Sequence, residues 1–316
     1  MGNLIKRVIK SLTHSDNDIL TWDVYREHVY MGLTLKLEGE INVSSTITLI
    51  ENGILNLVKN IQLKADGTLT PIDMNGTLAY LRAKYEGQVS PSLSQPGTGT
   101  GVQAFSCSIP IKFILPPSYG DMRYGTAFNS APFKTLTLAI KTGAASDVFS
   151  AGAGTLQNFT YKLHTQELKG LEAISLNMNM QNQQDRNFSS ASTTLEQELP
   201  EGELLAYRSI ALRVLNNGVQ SDALLNSLSL RSGTEIFVDI PFKELIDNNK
   251  EDYHLEALTT GFAILDLDTR HQFADMVRMQ GRSNLKFVFD VNAPTSSTGL
   301  IEILPSTLIL NQEPTQ

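Results

Sequence analysis

From about residue 30 onward the chain alternates apolar and polar residues in short runs. A period of two puts every second side chain on one face, the mark of a strand half-buried in a core. The pattern predicts strands over residues 30–37, 41–50, 61–64, 106–115, 136–140 and 159–163. It predicts others over 171–180, 204–215, 228–230, 234–240, 261–267, 285–291 and 300–310. Gly, Pro, Asn and Asp separate the runs. Residues 90–101 (SPSLSQPGTGTG) and 143–154 (GAASDVFSAGAG) predict loops, as does the polar stretch 181–194.

Helical signals are few. Leu4, Ile5, Val8, Ile9 and Leu12 follow helical spacing while Lys6, Arg7 and Lys10 lie off that face. Residues 3–13 are therefore expected to form a short amphipathic helix. A basic helix of this kind rests on an anionic membrane or a partner, or packs against its own domain; three turns are marginal alone. Residues 242–248 (FKELIDN) and 271–279 (HQFADMVRM) predict two further short helices.

One segment recurs. Residues 47–68 (ITLIENGILNLVKNIQLKADGT) and 210–234 (IALRVLNNGVQSDALLNSLSLRSGT) share an order of features. An alternating run leads to Asn52-Gly53 or Asn217-Gly218, then to Asn60 or Asn226, a second run, and Gly67-Thr68 or Gly233-Thr234. The spacing is domain-sized, far beyond the 20–50 residues of solenoid and propeller repeats. The ends of the two halves also match, each closing on two strands around a loop. Many short strands with inserted loops predict β-sandwiches of the Greek-key or jelly-roll kind, here two in tandem. The expected layout is an N-terminal helix and arm over 1–28, a first domain over 29–168 and a second over 169–316.

Composition narrows the function. The 316 residues are 41% hydrophobic and only 18% charged, enough for two packed cores and unlike a disordered chain. A sparsely charged, Ser/Thr/Asn/Gln-rich surface suits broad subunit contacts, because few ions need desolvation. A net charge of −8 argues against a nucleic-acid-binding protein. The single cysteine, Cys107, cannot make an internal disulfide, which fits assembly in a reducing cytoplasm; within AFSCSIPIKF it reads as a small buried hydrophobe. No segment approaches the roughly 20 apolar residues of a membrane span. The N-terminus lacks a secretory apolar core, and Lys6 stands where a myristoylation site needs Ser or Thr.

Catalytic chemistry is not legible. GxSxG, GxxxxGK[ST] and HExxH are missing from the sequence. His14, His28, His164, His254 and His271 do not pair at metal-ligand spacing, so neither a metal nor a cofactor is expected. Asp266 and Asp268 could hold a divalent cation, but Asp268 or Thr269 reads better as a helix cap. Glu196, Glu198, Glu201 and Glu203 flank Pro200 and read as surface charge on a turn. Trp22, in ILTWDVY beside Tyr25, either stacks on a ligand or anchors the N-terminal segment.

The paired Asn-Gly and Gly-Thr segments, the paired closing strands and MGNLIKRVIK together resemble a family: the double-jelly-roll major capsid proteins of tailless icosahedral viruses. The length is similar to the coat proteins of membrane-containing bacteriophages of the FLiP-like or corticovirus-like kind. The resemblance implies an all-β fold of two tandem eight-stranded jelly rolls with a short N-terminal helix. It implies a homotrimer of pseudo-hexagonal outline that tiles a virion shell with penton and minor capsid proteins, assembled in the host cytoplasm. It also implies an internal lipid membrane near Lys6, Arg7 and Lys10, where each cation is attracted at about 1 kcal/mol. The long loops would form towers or inter-capsomer contacts. The other reading is a receptor- or carbohydrate-binding jelly roll of a spike or lectin, and a two-domain cupin-type enzyme would need clustered histidines.

Overall fold

The computed structural model describes residues 3–87, 90–170, 177–268, 270–296 and 298–310. The chain divides into two compact units, Met1–Asn179 and Met180–Gln316. Unit 1 carries eight main strands: β1 Asn3–Thr13, β2 Ile19–Asp23, β3 Val29–Leu49, β4 Val58–Ala65, β5 Leu69–Met74, β6 Gly101–Lys112, β7 Leu136–Thr142 and β8 Phe149–Lys169. They pair antiparallel as two sheets, β1–β8–β3–β6 and β5–β4–β7–β2. Helix α1, Gly76–Gly87, lies between β5 and β6.

Unit 2 carries β9 Gln184–Phe188, β10 Ser192–Glu198, β11 Leu205–Asn216, β12 Leu225–Ser232, β13 Glu235–Pro241, β14 Phe262–Asp266, β15 Leu285–Val291 and β16 Gly299–Ile309. Its sheets are β9–β16–β11–β14 and β13–β12–β15–β10, with helix α2, Phe242–Asp252, between β13 and β14. Numbered within each unit, both follow one order: first–eighth–third–sixth and fifth–fourth–seventh–second. Two antiparallel sheets so connected form an eight-stranded jelly roll. Short strands at Leu93–Ser94, Phe128–Asn129, Met178–Asn182, Val219–Gln220 and Val277–Arg278 complete the described set.

The sequence repeat marks equivalent turns. Asn52 and Asn217 both take the left-handed conformation (φ 54° and 51°), which Asn tolerates better than most residues. In unit 1 a 3-10 turn, Gly53–Leu57, follows; in unit 2 a tight hairpin leads to Val219–Gln220. Gly67 and Gly233 (φ 71° and 59°) then turn β4 into β5 and β12 into β13.

Each roll is closed by alternate residues. Leu33, Leu35 and Leu37 of β3 meet Tyr161 and Leu163 of β8 and Ile109 and Ile111 of β6, all at most 2% exposed. Unit 2 buries Ile210, Leu212 and Val214 with Leu228, Leu230, Phe287, Phe289, Ile301 and Ile303 in one cluster. Burying a side chain of this size contributes roughly 1.5–3 kcal/mol.

Several expectations need correction. Residues 3–13 are not a helix. They form β1 and pair with β8 from Asn3↔Lys169 to Thr13↔Thr160. Leu4, Lys6 and Val8 face out while Ile5, Arg7 and Ile9 are half-buried, a period-two pattern; long-range pairing overrides the weak helical spacing. Residues 3–28 therefore supply the first two strands of the first roll and are not a separate helix and arm. Residues 30–37 and 41–50 form one strand, β3. The expected loop 143–154 ends early, because β8 begins at Phe149. The expected loop 181–194 contains β9 and the start of β10, both edge strands. Residues 271–279 form turns that lead into the short strand Val277–Arg278, not a helix; His271 has φ 55°. In the expected strand 171–180, residues 171–176 lie outside the described residues, and Met178–Asn182 is a strand. Helix 242–248 is present as α2, whose Asn249 amide accepts from the Ile264 N–H (2.6 Å) and donates to its carbonyl (2.8 Å).

Candidate interaction surface of the first roll

Lys6, Arg7 and Lys10 all lie on β1, the edge strand of its sheet, and the structure divides them. Lys6 and Lys10 are exposed; Arg7 points the other way. The guanidinium of Arg7 donates to His28 Nε2 (3.2 Å), and its Nε lies 3.7 Å from Glu167 Oε2. The same group sits 5.0 Å from the centroid of the Tyr25 ring. His28 Nδ1 is 2.7 Å from the Glu27 carbonyl oxygen, so its proton belongs on Nδ1 and Nε2 accepts. Glu167 is fully buried; its Oε1 accepts from the Thr165 hydroxyl, and its Oε2 faces Arg7 and His28. Burial, then the Glu167 charge, pushes the Tyr30 hydroxyl well above the ordinary tyrosine range, and that hydroxyl donates to the Tyr25 carbonyl. Arg7 is thus part of a clamp that fastens β1 to β8 and to the chain entering β3.

The exposed face of the same sheet is basic. Lys6 lies opposite Gln166, and Val8 opposite His164. His164 lies opposite Thr34, and Lys162 opposite Lys36. Alternate positions share a face, so these side chains stand together away from the core. Lys6, Val8, Thr34, Lys36, His164 and Gln166 bound an open groove of about 220 Å³. Partial burial, then the Lys36 charge, lowers the His164 pKa below its usual 6.5. A hydrogen bond from Lys162 holds Glu38 below the usual carboxylate range. This face, not an isolated helix, is what Lys6 belongs to; Lys10 lies at the β-bulge between Val8 and Ser11. The other members of the face were hidden because they sit on β3 and β8, far along the chain, each an unremarkable polar residue in a strand.

The remaining sequence candidates have structural roles. Trp22 is 2% exposed, and its indole N–H donates to the Lys10 carbonyl (2.7 Å), which anchors β2 against β1. Cys107 is buried in β6, and burial pushes its thiol up to about 12. Asp266 accepts from the Tyr253 hydroxyl (3.3 Å) and the Asp268 N–H (3.1 Å); Asp268 accepts from the Gln272 N–H (2.8 Å). Both aspartates therefore order a turn. Glu196 pairs with Lys286 (2.7 Å), and Glu201 accepts from the Leu285 N–H (3.2 Å). Among the described residues no group of three or more His, Cys, Asp or Glu side chains is placed to hold a metal ion, and no helix is long and apolar enough to cross a membrane.

No protein-family model and no curated protein matches the chain. Solved structures do. The crystal structure of the STIV MCP is similar over 98% of this chain and 97% of its own, with TM-score 0.77 and 14% identity. The atomic structure of Sulfolobus turreted icosahedral virus matches with TM-score 0.76 and 13% identity, over 98% of this chain and 91% of that one. The major capsid protein P2 of bacteriophage PM2 matches with TM-score 0.67 and 11% identity, over 98% and 99%. At these identities the likeness defines the fold. The chain is a double jelly roll.

Proposed function

We propose that the protein is the major capsid protein of an icosahedral virus and a structural protein, not an enzyme. The observation that carries this reading is the tandem of two eight-stranded rolls with one strand order, matched along nearly whole chains by virus capsid structures. Two similar rolls per chain give a trimer six similar lobes, so three copies would form a pseudo-hexagonal capsomer able to tile a shell. Neighbouring capsomers, penton and minor capsid proteins are its partners in the virion, with assembly in the host cytoplasm. A FLiP-like or corticovirus-like phage, with a membrane inside the shell, is the finer form of the proposal. If such a membrane is present, Lys6 and Lys10 are the N-terminal groups free to meet its phosphates, because Arg7 is turned toward Glu167.

Light scattering on the purified protein tests the reading. The expected result is a species near three times 34.8 kDa that resists dilution and forms shells under the electron microscope. A monomer at every concentration would refute it and direct attention to a sugar-array screen for the spike or lectin reading.

A further inference from the structure

We infer that Asn217 is a site of spontaneous covalent change, in which the backbone nitrogen of Gly218 attacks the Asn217 side-chain amide and water completes its conversion to aspartate or isoaspartate. The inference stands on one hairpin and does not depend on how copies of the chain assemble. The sequence contains three Asn-Gly pairs: Asn52-Gly53, Asn75-Gly76 and Asn217-Gly218. Asparagine is among the thermolabile residues, and a following glycine, with no Cβ, leaves the attacking nitrogen unshielded. In an unfolded chain the three pairs are chemically alike. The fold separates them.

Two of the pairs are held. Gly53 is buried, its N–H donates to the Ile50 carbonyl (2.9 Å), and a Cβ placed on it would lie 2.2 Å from the Val148 oxygen. Asn75 Oδ1 accepts from the Leu78 N–H (2.8 Å) at the start of α1. Gly76 is buried, and a Cβ placed on it would lie 2.9 Å from the Leu55 oxygen. Asn217 and Gly218, by contrast, are both exposed at the tip of the hairpin from β11 to Val219–Gln220. Nothing lies within 4 Å of a Cβ placed on Gly218. Neither the Asn217 side chain nor the Gly218 N–H has a hydrogen-bond partner among the described residues. The neighbouring Asn216 is tied, its Oδ1 accepting from the Thr295 N–H (3.1 Å) and hydroxyl (3.0 Å).

The reaction balances with water as its only co-reactant. The Gly218 nitrogen loses its proton and bonds to Asn217 Cγ. The C–N bond of the side-chain amide breaks, and its nitrogen leaves as ammonia with that proton. Water then opens the cyclic imide at either carbonyl, giving aspartate or isoaspartate. Ring closure requires the turn to open, and the tip is held only by the pairs Leu215↔Gln220 and Asn216↔Val219. Each event exchanges a neutral side chain for a carboxylate and takes the net charge of the chain from −8 to −9. Isoaspartate also adds a backbone carbon to a two-residue turn, whose length sets the register of the hairpin. Gln220, which accepts from Arg213 Nε (2.9 Å) and donates to the Thr260 carbonyl (3.0 Å), is the residue that such a shift displaces.

The test is peptide mapping by mass spectrometry on the full chain, aged in heavy-oxygen water at mildly alkaline pH. Incorporated label marks the events that occur during ageing, and fragmentation separates aspartate from isoaspartate. In the folded protein Asn217 should react at least about 100-fold faster than Asn52 or Asn75, which react only in the small fraction of molecules whose local structure has opened. In urea the three should react at similar rates. Asn217→Gln, whose longer side chain closes an imide ring slowly, should remove the main acidic variant that ion exchange resolves from the aged parent protein. Label entering at Asn52 or Asn75 as fast as at Asn217 in the folded protein would overturn the inference. So would an Asn217 still unlabelled after the time in which the urea-unfolded chain has reacted fully. An acidic variant undiminished in Asn217→Gln would overturn it as well.

Discussion

Replacing Arg7 with Met tests whether residues 3–13 act as a clamped strand. Glu167 is fully buried, so it depends on its cationic neighbours. At 3.7 Å and an effective dielectric near 20, the Arg7–Glu167 attraction is about 4 kcal/mol before screening. The Arg7 side chain is 39% exposed, and water cancels much of this, leaving roughly 1–2 kcal/mol. The lost contact with the Tyr25 ring adds about 0.5–1 kcal/mol. Arg7→Met should therefore destabilise the first roll by about 2 kcal/mol. Trp22 is the only tryptophan and lies in that roll, so its fluorescence during urea unfolding at fixed protein concentration isolates the right transition. Glu167→Gln removes the orphaned charge, so Arg7→Met should cost at least about 1 kcal/mol less in that background. Arg7→Met within about 0.5 kcal/mol of the parent protein would refute the clamp and return Arg7 to the surface.

Three other outcomes follow from the structure. Burial raises Cys107 from 9.0 to about 12 and Tyr80 from 10.0 to about 12, so both favour the protonated form when folded. Their contribution is complete below pH 9 and is lost as pH rises toward about 12, so urea midpoints should fall across that window and Cys107 should resist thiol reagents at pH 8 until the protein unfolds. At Gly261 (φ 64°) an added Cβ would lie 2.6 Å from the Ser221 nitrogen and 2.7 Å from the Val214 oxygen, both backbone. Gly261→Ala should cost about 2 kcal/mol or more and lower the second roll's calorimetric midpoint by about 4–8 °C; an unchanged midpoint would contradict that packing. Phe287 is fully buried and stacks 5.0 Å from Phe289, so Phe287→Ala should cost roughly 3–5 kcal/mol in the same transition, and under 1 kcal/mol would mean the core is not as described.

The sequence was most legible where one face of a strand meets a core and the other meets water. β7 and β15, whose burial alternates, fall where alternation places them; β14 and β16, buried on both faces, fall close to the expected runs 261–267 and 300–310 because those runs are apolar nearly throughout. It misled where another demand took over a position. In β1, Arg7 holds an inward slot that an apolar residue would normally fill, which breaks the period-two signal and leaves a helical one; only Glu167, 160 residues later, explains it. Helix α1 was missed because it is buried nearly all round, from Leu78 to Tyr85, and so has no polar stripe to set a period. The first turns of β8 read as loop because Gly152 and Gly154 are there for close approach. A Cβ on Gly152 would lie 2.5 Å from the Thr46 oxygen, and one on Gly154 would lie 2.9 Å from Ile41 Cγ2. β9 and β10 are edge strands with little apolar content, so hydrophobicity could not reveal them. The basic face was half legible. Lys6 stood out, but Lys36 and Lys162 join it only through the pairing of β3 with β8.

The pairing of β1 with β8 also bears on how the chain is made. Val8 must wait for His164, so 155 residues separate a strand from its partner along the ribosome's product. At typical elongation rates of about 5–20 residues per second, β1 spends roughly 10–30 s emerged and unpaired. Throughout that time its alternating Leu4, Val8, Ile5 and Ile9 present an open edge to other nascent chains on the same message. The lysines between them then serve a second purpose: as like charges on every copy, they keep unfinished first rolls apart until the last strand arrives to close each one.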